Sequence, residues 1–144
     1  MKECVKEACR KGIFSGDLKL EIEQYNIEQE YTFKEYTKDA YSTVMYPEAG
    51  QGTLTALNYT VLAAVGEAGE IANKLKKVWR GDKPLDSELK AAMADEIGDV
   101  LWYLDRSMVE LGYPEGLEAA AKMNITKLKD RRARNQTKGD GDKR

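Results

Sequence analysis

Residues 53–112 read TLTALNYTVLAAVGEAGEIANKLKKVWRGDKPLDSELKAAMADEIGDVLWYLDRSMVELG, and two helical patterns within them decide the fold. In each pattern apolar side chains recur every three or four residues, as one buried face of a helix requires. The first pattern comprises Leu54, Leu57, Val61, Val65, Ala68, Ala72, Leu75 and Trp79. The second comprises Leu89, Met93, Ile97, Val100, Leu104, Met108 and Leu111. The stretch therefore predicts two long helices joined by a short loop.

Capping and turn residues mark the ends of these two helices. Thr53 can cap the first helix, which is expected to run to about Arg80. Asp86 or Ser87 can open the second helix, and Gly112 is expected to end it.

Two further helices flank this pair. Thr32 can cap a helix from Phe33 to about Met45, and a last helix is expected from about Pro114 until it fades after Arg134. Four helices with short connections predict an all-α fold, an antiparallel four-helix bundle. Two helices of about 25 residues would each be about 37 Å long. Because this is long for so small a monomer, we expect the chain to pair with a second copy.

The composition limits the chemistry that the chain can perform. It has 42% hydrophobic residues, two Cys and no His, which excludes Ser-His-Asp and Cys-His catalysis and His-ligated zinc or haem. Cys4 and Cys9 lack a CxxC spacing and are expected to be reduced thiols, and the chain shows neither a signal peptide nor an apolar run of membrane-spanning length. We therefore expect a cytoplasmic protein without membrane contact, whose chemistry rests on carboxylates, Lys, Arg, Tyr or an oxygen-bound metal.

The net charge of −2 conceals an uneven distribution. From Thr126 to Arg144 there are eight basic and three acidic residues, which gives +5, so the other 125 residues carry 15 basic and 22 acidic residues, or −7. A basic end can be an RNA-binding arm, a site for an anionic ligand or a solvated terminus. We divide the chain into an N-terminal extension of uncertain structure (1–32), a helical domain (33–135) and a basic, Gly-rich tail (136–144).

Two pairs of acidic residues lie on the two long helices. Glu67 and Glu70 are three residues apart, and Glu96 and Asp99 repeat that spacing, so each pair shares one helix face. One such pair alone is most simply a solvated surface, but two pairs on antiparallel helices can converge and bind a divalent cation. All-oxygen ligands favour Mg²⁺, with Mn²⁺ as a substitute, and iron fits less well because the chain has no His.

Cations suited to phosphate binding accompany these carboxylates. Lys74 and Lys77 follow the first acidic pair, and Lys127 and Arg131 form an i,i+4 pair on the last helix. Mg²⁺ that is held by only a few protein ligands takes the rest from water and phosphate oxygens. The basic end could therefore close over a polyphosphate.

These motifs resemble the ExxE…ExxD signature of the MazG-like all-α nucleoside triphosphate pyrophosphohydrolases. The matching segments are GEAGE at 66–70 and EIGDV at 96–100, and NITKLKDR at 124–131 is similar to the family's N-x-x-K-L-x-x-R segment. The basic, Gly-rich end at 138–144 is similar to the ends of small bacterial and phage members. The similarity covers about residues 33–144.

The resemblance implies a helical bundle that forms a dimer or tetramer and hydrolyses a (d)NTP to the (d)NMP and pyrophosphate with Mg²⁺. The metal ligands that it implies are Glu67, Glu70, Glu96 and Asp99. The residues expected to contact the nucleotide are Lys74, Lys77, Asn124, Lys127 and Arg131. Either Glu67 or Glu70 is expected to act as the general base, and the sequence leaves that choice open.

The motifs do not identify the nucleotide. We favour a dNTP such as dGTP, because Trp102 and Tyr103 can stack on a purine, although these two residues and Trp79 fit packing in the core or at an interface at least as well. Two other functions stay open: hydrolysis of phosphoribosyl-ATP, and a non-catalytic helical oligomer that binds RNA through its basic tail. The expected partners are the nucleotide and a second copy of the chain, and nucleic acid is not favoured.

Overall fold

The computed structural model describes residues 31–134, and this part of the chain contains four α-helices and no strand. Helix α1 spans Phe33–Tyr41, α2 spans Leu54–Trp79, α3 spans Ser87–Glu110 and α4 spans Leu117–Ala133. The chain divides after Thr32 into two units, and all four of these helices belong to the second. The predicted all-α class is confirmed for the described part. The predicted N-terminal extension and the basic tail lie outside it, apart from Tyr31 and Thr32.

The predicted caps of α2 and α3 are confirmed. The Thr53 side chain accepts a hydrogen bond from the Ala56 N–H, and the Asp86 side chain accepts one from the Leu89 N–H. Each cap satisfies an N–H group that has no partner inside its own helix. No helix within 31–134 combines the length and the hydropathy needed to cross a bilayer.

Helices α2 and α3 run antiparallel and make the most extensive contact of the described domain. In the first half of α2, the Thr60 hydroxyl lies 3.0 Å from that of Ser107, near the end of α3. Near the end of α2, Lys74 is bonded to Glu96, which lies in the first half of α3. The antiparallel order brings the acidic segment of α2 opposite the acidic segment of α3.

The prediction that the large apolar side chains of α2 face the core is wrong. The side chains buried on α2 are small: Ala56, Thr60 and Ala64. Large residues of the predicted pattern are exposed, among them Leu54 (73%), Val65 (66%) and Trp79 (89%). Because the small residues recur at every fourth position, they form the face that packs on α3, and the larger side chains lie on other faces.

The predicted apolar face of α3 is also partly wrong. Ile97, Leu104 and Leu111 are exposed. The buried residues of α3 are polar or charged: Asp105, Arg106, Ser107 and Glu110. Because each of these four side chains is hydrogen-bonded, the polar groups are compensated for their loss of water.

Helix α1 ends at Tyr41, before the predicted end at Met45. The hydroxyls of Ser42 and Thr43 donate to the carbonyl oxygens three residues before them, at 2.6 and 2.8 Å. The N–H groups of the same two residues donate to the same two carbonyl oxygens. Hydrogen bonds over three residues tighten the chain into turns, and these end the α-helix.

Helix α4 begins at Leu117, and the prediction of a start near Pro114 is wrong. Gly116 has a φ of +56°, which is outside the right-handed helical region. The Leu117 N–H donates instead to Asp105 Oδ1 at 2.9 Å, and the Thr37 hydroxyl of α1 donates to the same oxygen at 2.7 Å. The fully buried carboxylate of Asp105 therefore joins α1, α3 and the start of α4.

Arg106 neutralises this buried carboxylate. Its Nε donates to Asp105 Oδ2 at 3.1 Å, and its guanidinium also donates to the Thr37 carbonyl oxygen at 2.9 Å. Removing one partner of such a pair leaves an uncompensated charge in the interior, which is strongly destabilising. The pair therefore holds the three helices in fixed positions at the end of the domain opposite the α2–α3 loop.

Candidate functional site

Three acidic side chains converge between α2 and α3. Glu67 on α2, and Glu96 and Asp99 on α3, each place one carboxylate oxygen within 4.8 Å of the other two. Glu67 and Glu96 are partly buried, and Asp99 is exposed. The spacing of three residues puts Glu96 and Asp99 on one face of α3. We call these three residues the acidic triad.

Glu70 is not a member of the acidic triad. It lies one turn beyond Glu67 on α2, and its side chain is exposed. Its charge still reaches the triad, because it contributes to the raised pKa of Glu67. Its roles as fourth metal ligand and as base stay predictions.

Lys74 supplies a positive charge to the acidic triad. Its Nζ lies 2.6 Å from Glu96 Oε1, and both side chains are 20% exposed. This hydrogen bond is the main cause that lowers the pKa of Glu96 and raises the pKa of Lys74. The predicted phosphate ligand Lys74 is therefore bonded to a predicted metal ligand.

Glu67 has the opposite electrostatic environment. Loss of water on burial is the largest cause that raises its pKa, followed by its hydrogen bond with Glu96 and the negative charges of Asp99, Glu96 and Glu70. The same hydrogen bond lowers the pKa of Glu96. The hydrogen bond between the two glutamates therefore shifts their pKa values in opposite directions.

The acidic triad is a group of residues that could hold a hard divalent cation. Carboxylate oxygens without His or Cys are the donor set that suits Mg²⁺ or Mn²⁺ rather than zinc. The ammonium group of Lys74 lies against one of these oxygens and partly compensates the negative charge of the triad. Three protein ligands would leave positions for water and phosphate oxygens, as is common for Mg²⁺.

A cleft of about 440 Å³ opens beside the acidic triad. Its lining residues are Thr43, Met45, Tyr46, Tyr59, Glu67, Asp99, Trp102 and Tyr103. The volume lies within the usual range for small-molecule sites. The lining combines two carboxylates with four aromatic rings. The cleft therefore suits a ligand that has a planar ring and a second group that carries or binds a positive charge.

The aromatic rings of the cleft are packed on each other. Tyr46 stacks on Tyr59 with 5.5 Å between ring centroids, and it meets the Trp102 ring edge-on at 6.1 Å. Trp102 in turn meets Tyr103 edge-on at 5.0 Å, and its Nε1 donates to the Thr43 hydroxyl at 2.9 Å. Such offset and edge-on arrangements are the favoured ones for aromatic pairs. The rings thus form one continuous wall.

Two of these rings could be anticipated from the sequence, and two were missed. Trp102 and Tyr103 follow Asp99 by three and four residues, the spacing that places side chains on one helix face. Tyr46 and Tyr59 reach the cleft from the α1–α2 loop and from α2, and no spacing signal connects them with the acidic residues. Trp79, also considered as a stacking residue, is 89% exposed and is not a lining residue.

The remaining predicted nucleotide ligands do not line the cleft. Lys77 is partly buried on the last turn of α2. Asn124 and Lys127 are exposed on α4, and Arg131 is buried there. Because α4 packs against α1 and α3, contacts from these α4 residues to a nucleotide stay predictions.

The chain is 37% identical over 111 residues to the Gene 37 protein of Mycobacterium phage L5, and the match covers 76% of this chain and 96% of the phage protein. The chain belongs to the Gene 37 protein family. The name of the Gene 37 protein states no activity. No family model matches the chain, and no solved structure matches it.

Proposed function

We propose that the chain hydrolyses (deoxy)nucleoside triphosphates to the monophosphate and pyrophosphate with Mg²⁺, as the MazG-like enzymes that it resembles do. The observation that carries this proposal is the position of the acidic triad at the edge of an aromatic cleft. A nucleoside triphosphate has two parts: a polyphosphate, whose charge needs a cation, and a base, which can stack on an aromatic ring. The two halves of the site offer these features next to each other.

The acidic triad is the proposed metal site, with Glu70 as a further ligand from the next turn of α2. A bound ion would neutralise the polyphosphate and supply a Lewis acid. In the reaction a water oxygen bonds to the α-phosphorus, the bond from that phosphorus to the bridging oxygen breaks, and a carboxylate accepts the water's proton. Glu67 is one candidate for this acceptor, because it lines the cleft beside the rest of the triad. Glu70 is the alternative.

Lys74 has a second part in this proposal. Glu96 would exchange its bond with the ammonium group for a bond with the divalent ion. The ammonium group of Lys74 would then be available to contact the departing pyrophosphate, whose charge needs a positive partner. The pairing with Glu96 keeps Lys74 beside the triad until then.

We also propose that the protomer is an antiparallel four-helix bundle that pairs as a homodimer, with a tetramer as the larger assembly. Leu54, Leu62 and Val65 are 73%, 70% and 66% exposed on α2, on faces that do not pack on α3. Exposed apolar surface of this kind is typical of protein interfaces. A second copy would remove this surface from water.

The test is release of pyrophosphate from the four ribonucleoside and four deoxyribonucleoside triphosphates, with and without Mg²⁺. We expect Mg²⁺-dependent turnover of at least one deoxynucleotide, with dGTP as the first candidate. Glu96→Gln removes one triad carboxylate and should abolish turnover while the circular dichroism stays helical. Glu118→Gln is the matched control, because Glu118 pairs with Lys122 on α4, outside the site.

Phosphoribosyl-ATP belongs in the same assay, because its exclusive hydrolysis would favour that alternative substrate. Normal turnover by Glu96→Gln would contradict the proposed metal site. No turnover of any nucleotide, together with RNA binding that weakens steeply with salt, would support a non-catalytic oligomer instead.

A further inference from the structure

The loop that joins α1 to α2 is bonded to the last residue of α3. Glu110 is 5% exposed, and its carboxylate accepts three hydrogen bonds from this loop. The Tyr46 hydroxyl and the Gly50 N–H donate to Oε1 at 2.5 and 2.6 Å, and the Gly52 N–H donates to Oε2 at 2.9 Å. Both carboxylate oxygens are therefore committed to the loop.

The backbone of the loop is shaped for these contacts. Glu48, Gly50 and Gly52 have φ values of +57°, +75° and +65°, and a residue with a side chain adopts such a conformation only at a cost in energy. The Glu48 carboxylate accepts a hydrogen bond from the Thr53 hydroxyl at 2.6 Å. A Cβ on Gly52 would lie 3.3 Å from the Glu110 carbonyl oxygen. The loop is thus a fixed structure that is fitted closely to the end of α3.

Tyr46 connects this loop to the cleft. Its ring is 7% exposed and stacks behind Tyr59, which is 45% exposed. The Tyr46 ring also supports the edge of Trp102. Because the hydroxyl of Tyr46 is held by Glu110, the buried ring cannot shift without breaking that hydrogen bond. The position of the two outer rings therefore depends on Glu110.

The same helix carries both parts of the site. Asp99 and Glu96 of the acidic triad lie on α3, and Glu110 ends α3. An α-helix is stiff over this length, so it fixes the distance between the triad and the point where the aromatic wall is attached.

We propose that Glu110 is the positioning residue of the nucleotide site. Through Tyr46 it holds the rings of Tyr59 and Trp102 at the place where the base of a nucleotide stacks, and so it sets the affinity for the base without touching the reacting phosphate. A carboxylate is needed because all three loop groups are donors, and an amide would present one of them with another donor. Only the identity of the ligand rests on the proposed function.

The first experiment compares steady-state kinetics with dGTP and Mg²⁺ in two variants. Tyr46→Phe keeps the ring and removes the hydroxyl. Glu110→Gln keeps the shape of the side chain and replaces one acceptor oxygen with an NH₂ group. We expect KM to rise by about fivefold in each, as loss of one hydrogen bond predicts, while kcat stays within about twofold. Glu118→Gln is again the control and should leave both constants unchanged.

The second experiment measures binding without turnover. The chain has two Trp, so Trp79→Phe leaves Trp102 in the cleft wall as the single fluorescent indole. Titration with dGMP should quench Trp102, and Tyr46→Phe or Glu110→Gln in this background should weaken the affinity by the same factor as KM. A role in stability alone would lower the melting temperature and leave the dGMP affinity unchanged.

The outcomes separate the two proposals. Unchanged KM and dGMP affinity in folded Tyr46→Phe would overturn the role of Glu110 and leave the pyrophosphohydrolase proposal standing. A wild-type protein that hydrolyses no nucleotide would overturn the proposed activity, and the fluorescence titration would then decide alone. Quenching of Trp102 by dGMP that weakens in both variants supports the role of Glu110, and equal dGMP affinity in Trp79→Phe and in both variants made in that background overturns it.

Discussion

Glu96 and Glu110 are the same amino acid on the same helix, yet they have different kinds of partner. Glu96 is bonded to the ammonium group of Lys74, at the end of a flexible side chain, and both groups are partly exposed. Glu110 is bonded to two backbone N–H groups and a tyrosine hydroxyl, and it is buried. Under the proposed function a divalent cation would take the place of Lys74 at Glu96, whereas the partners of Glu110 cannot be replaced without rebuilding a loop. The surroundings of Glu96 suit the proposed metal binding, and those of Glu110 suit a residue that holds the loop in place.

The exchangeable partner gives a prediction about metal affinity. Lys74→Gln removes the ammonium group that a divalent ion has to displace from Glu96. We therefore expect Mn²⁺ to bind several-fold more tightly to Lys74→Gln than to the wild type, as measured by calorimetry or by the electron paramagnetic resonance of free Mn²⁺. Lys77→Gln, on the same helix, should have a smaller effect. Weaker Mn²⁺ binding by Lys74→Gln would show that the lysine supports the ion rather than competing with it.

The buried partner gives a prediction about pH. Burial alone would raise the pKa of Glu110, but the hydrogen bonds from Tyr46, Gly50 and Gly52 lower it below the ordinary value of about 4.3. A carboxyl whose pKa is lower in the folded state adds stability above its unfolded pKa and loses it as the pH falls through its folded pKa. Glu110→Gln should therefore lower the free energy of unfolding by about 2 kcal/mol near pH 7, and this difference should shrink below about pH 4.

Urea unfolding of wild type and Glu110→Gln at both ends of this range measures the pH effect. Glu118→Gln, which changes a partly exposed carboxylate that pairs with Lys122 on α4, should differ little from wild type at pH 7. An equal difference between Glu110→Gln and wild type at both pH values would mean that the lost contact does not depend on charge.

The helices differ in how much of them could be predicted. The starts of α2 and α3 were predicted correctly because Thr53 and Asp86 act within one turn of the chain. The packed face of α2 was predicted wrongly, because periodicity identifies an apolar face but not the partner that covers it. The start of α4 was also misplaced, because it is set by a tertiary hydrogen bond to Asp105.

The same distinction holds for the candidate site. The convergence of Glu67, Glu96 and Asp99 could be anticipated, since the spacing within helices and a short loop between them suffice to bring these residues together. The contact between Tyr46 and Glu110 could not be anticipated, because it joins residues 64 positions apart without a motif. Local patterns thus predict the acidic half of the site, and the aromatic half depends on how the α1–α2 loop folds back.

The start of α4 gives a prediction about stability. Gly116 has a positive φ, and a Cβ at this position would clash with Asp105 Oδ1 and with the Thr37 hydroxyl. Gly116→Ala should therefore lower the free energy of unfolding by about 3 kcal/mol or more, because it disturbs a buried ion pair. Gly66→Ala on α2 is the control: its Cβ would meet nothing within 4 Å, and it should be neutral or stabilising by up to about 1 kcal/mol. Equal stability of the two variants in urea would contradict this account.

Within residues 31–134, only a few of the apolar side chains are buried. The buried hydrophobic residues within 31–134 are Ala40, Tyr46, Ala56 and Ala64, whereas many larger apolar residues are exposed. Because burial of apolar surface is the main favourable term in folding, such a domain gains much from association. The exposed side chains of α2 are the surface that we expect a second copy to cover.

A charge placed on this surface tests the pairing. We expect the wild type to be a dimer by size-exclusion chromatography with light scattering, and Val65→Glu to be a monomer with unchanged helical content. Burying a valine contributes about 1.5 kcal/mol or more, and a buried unpaired glutamate costs further energy. Met123→Glu changes a comparably exposed apolar residue on α4, 52% against 66%, and should stay dimeric. A monomeric wild type would refute the pairing.

The position of Asp105 has a consequence for the order in which the domain assembles. Its carboxylate binds the Leu117 N–H, 12 residues further on, and the Thr37 hydroxyl, 68 residues earlier. Closing the longer loop costs more entropy, so the start of α4 can dock on α3 before α1 does. On the ribosome α1 emerges before the other three described helices, yet its contacts with Asp105 and Arg106 can form only after α3 has emerged. Of the four described helices, the first to be synthesised is therefore expected to be among the last to dock.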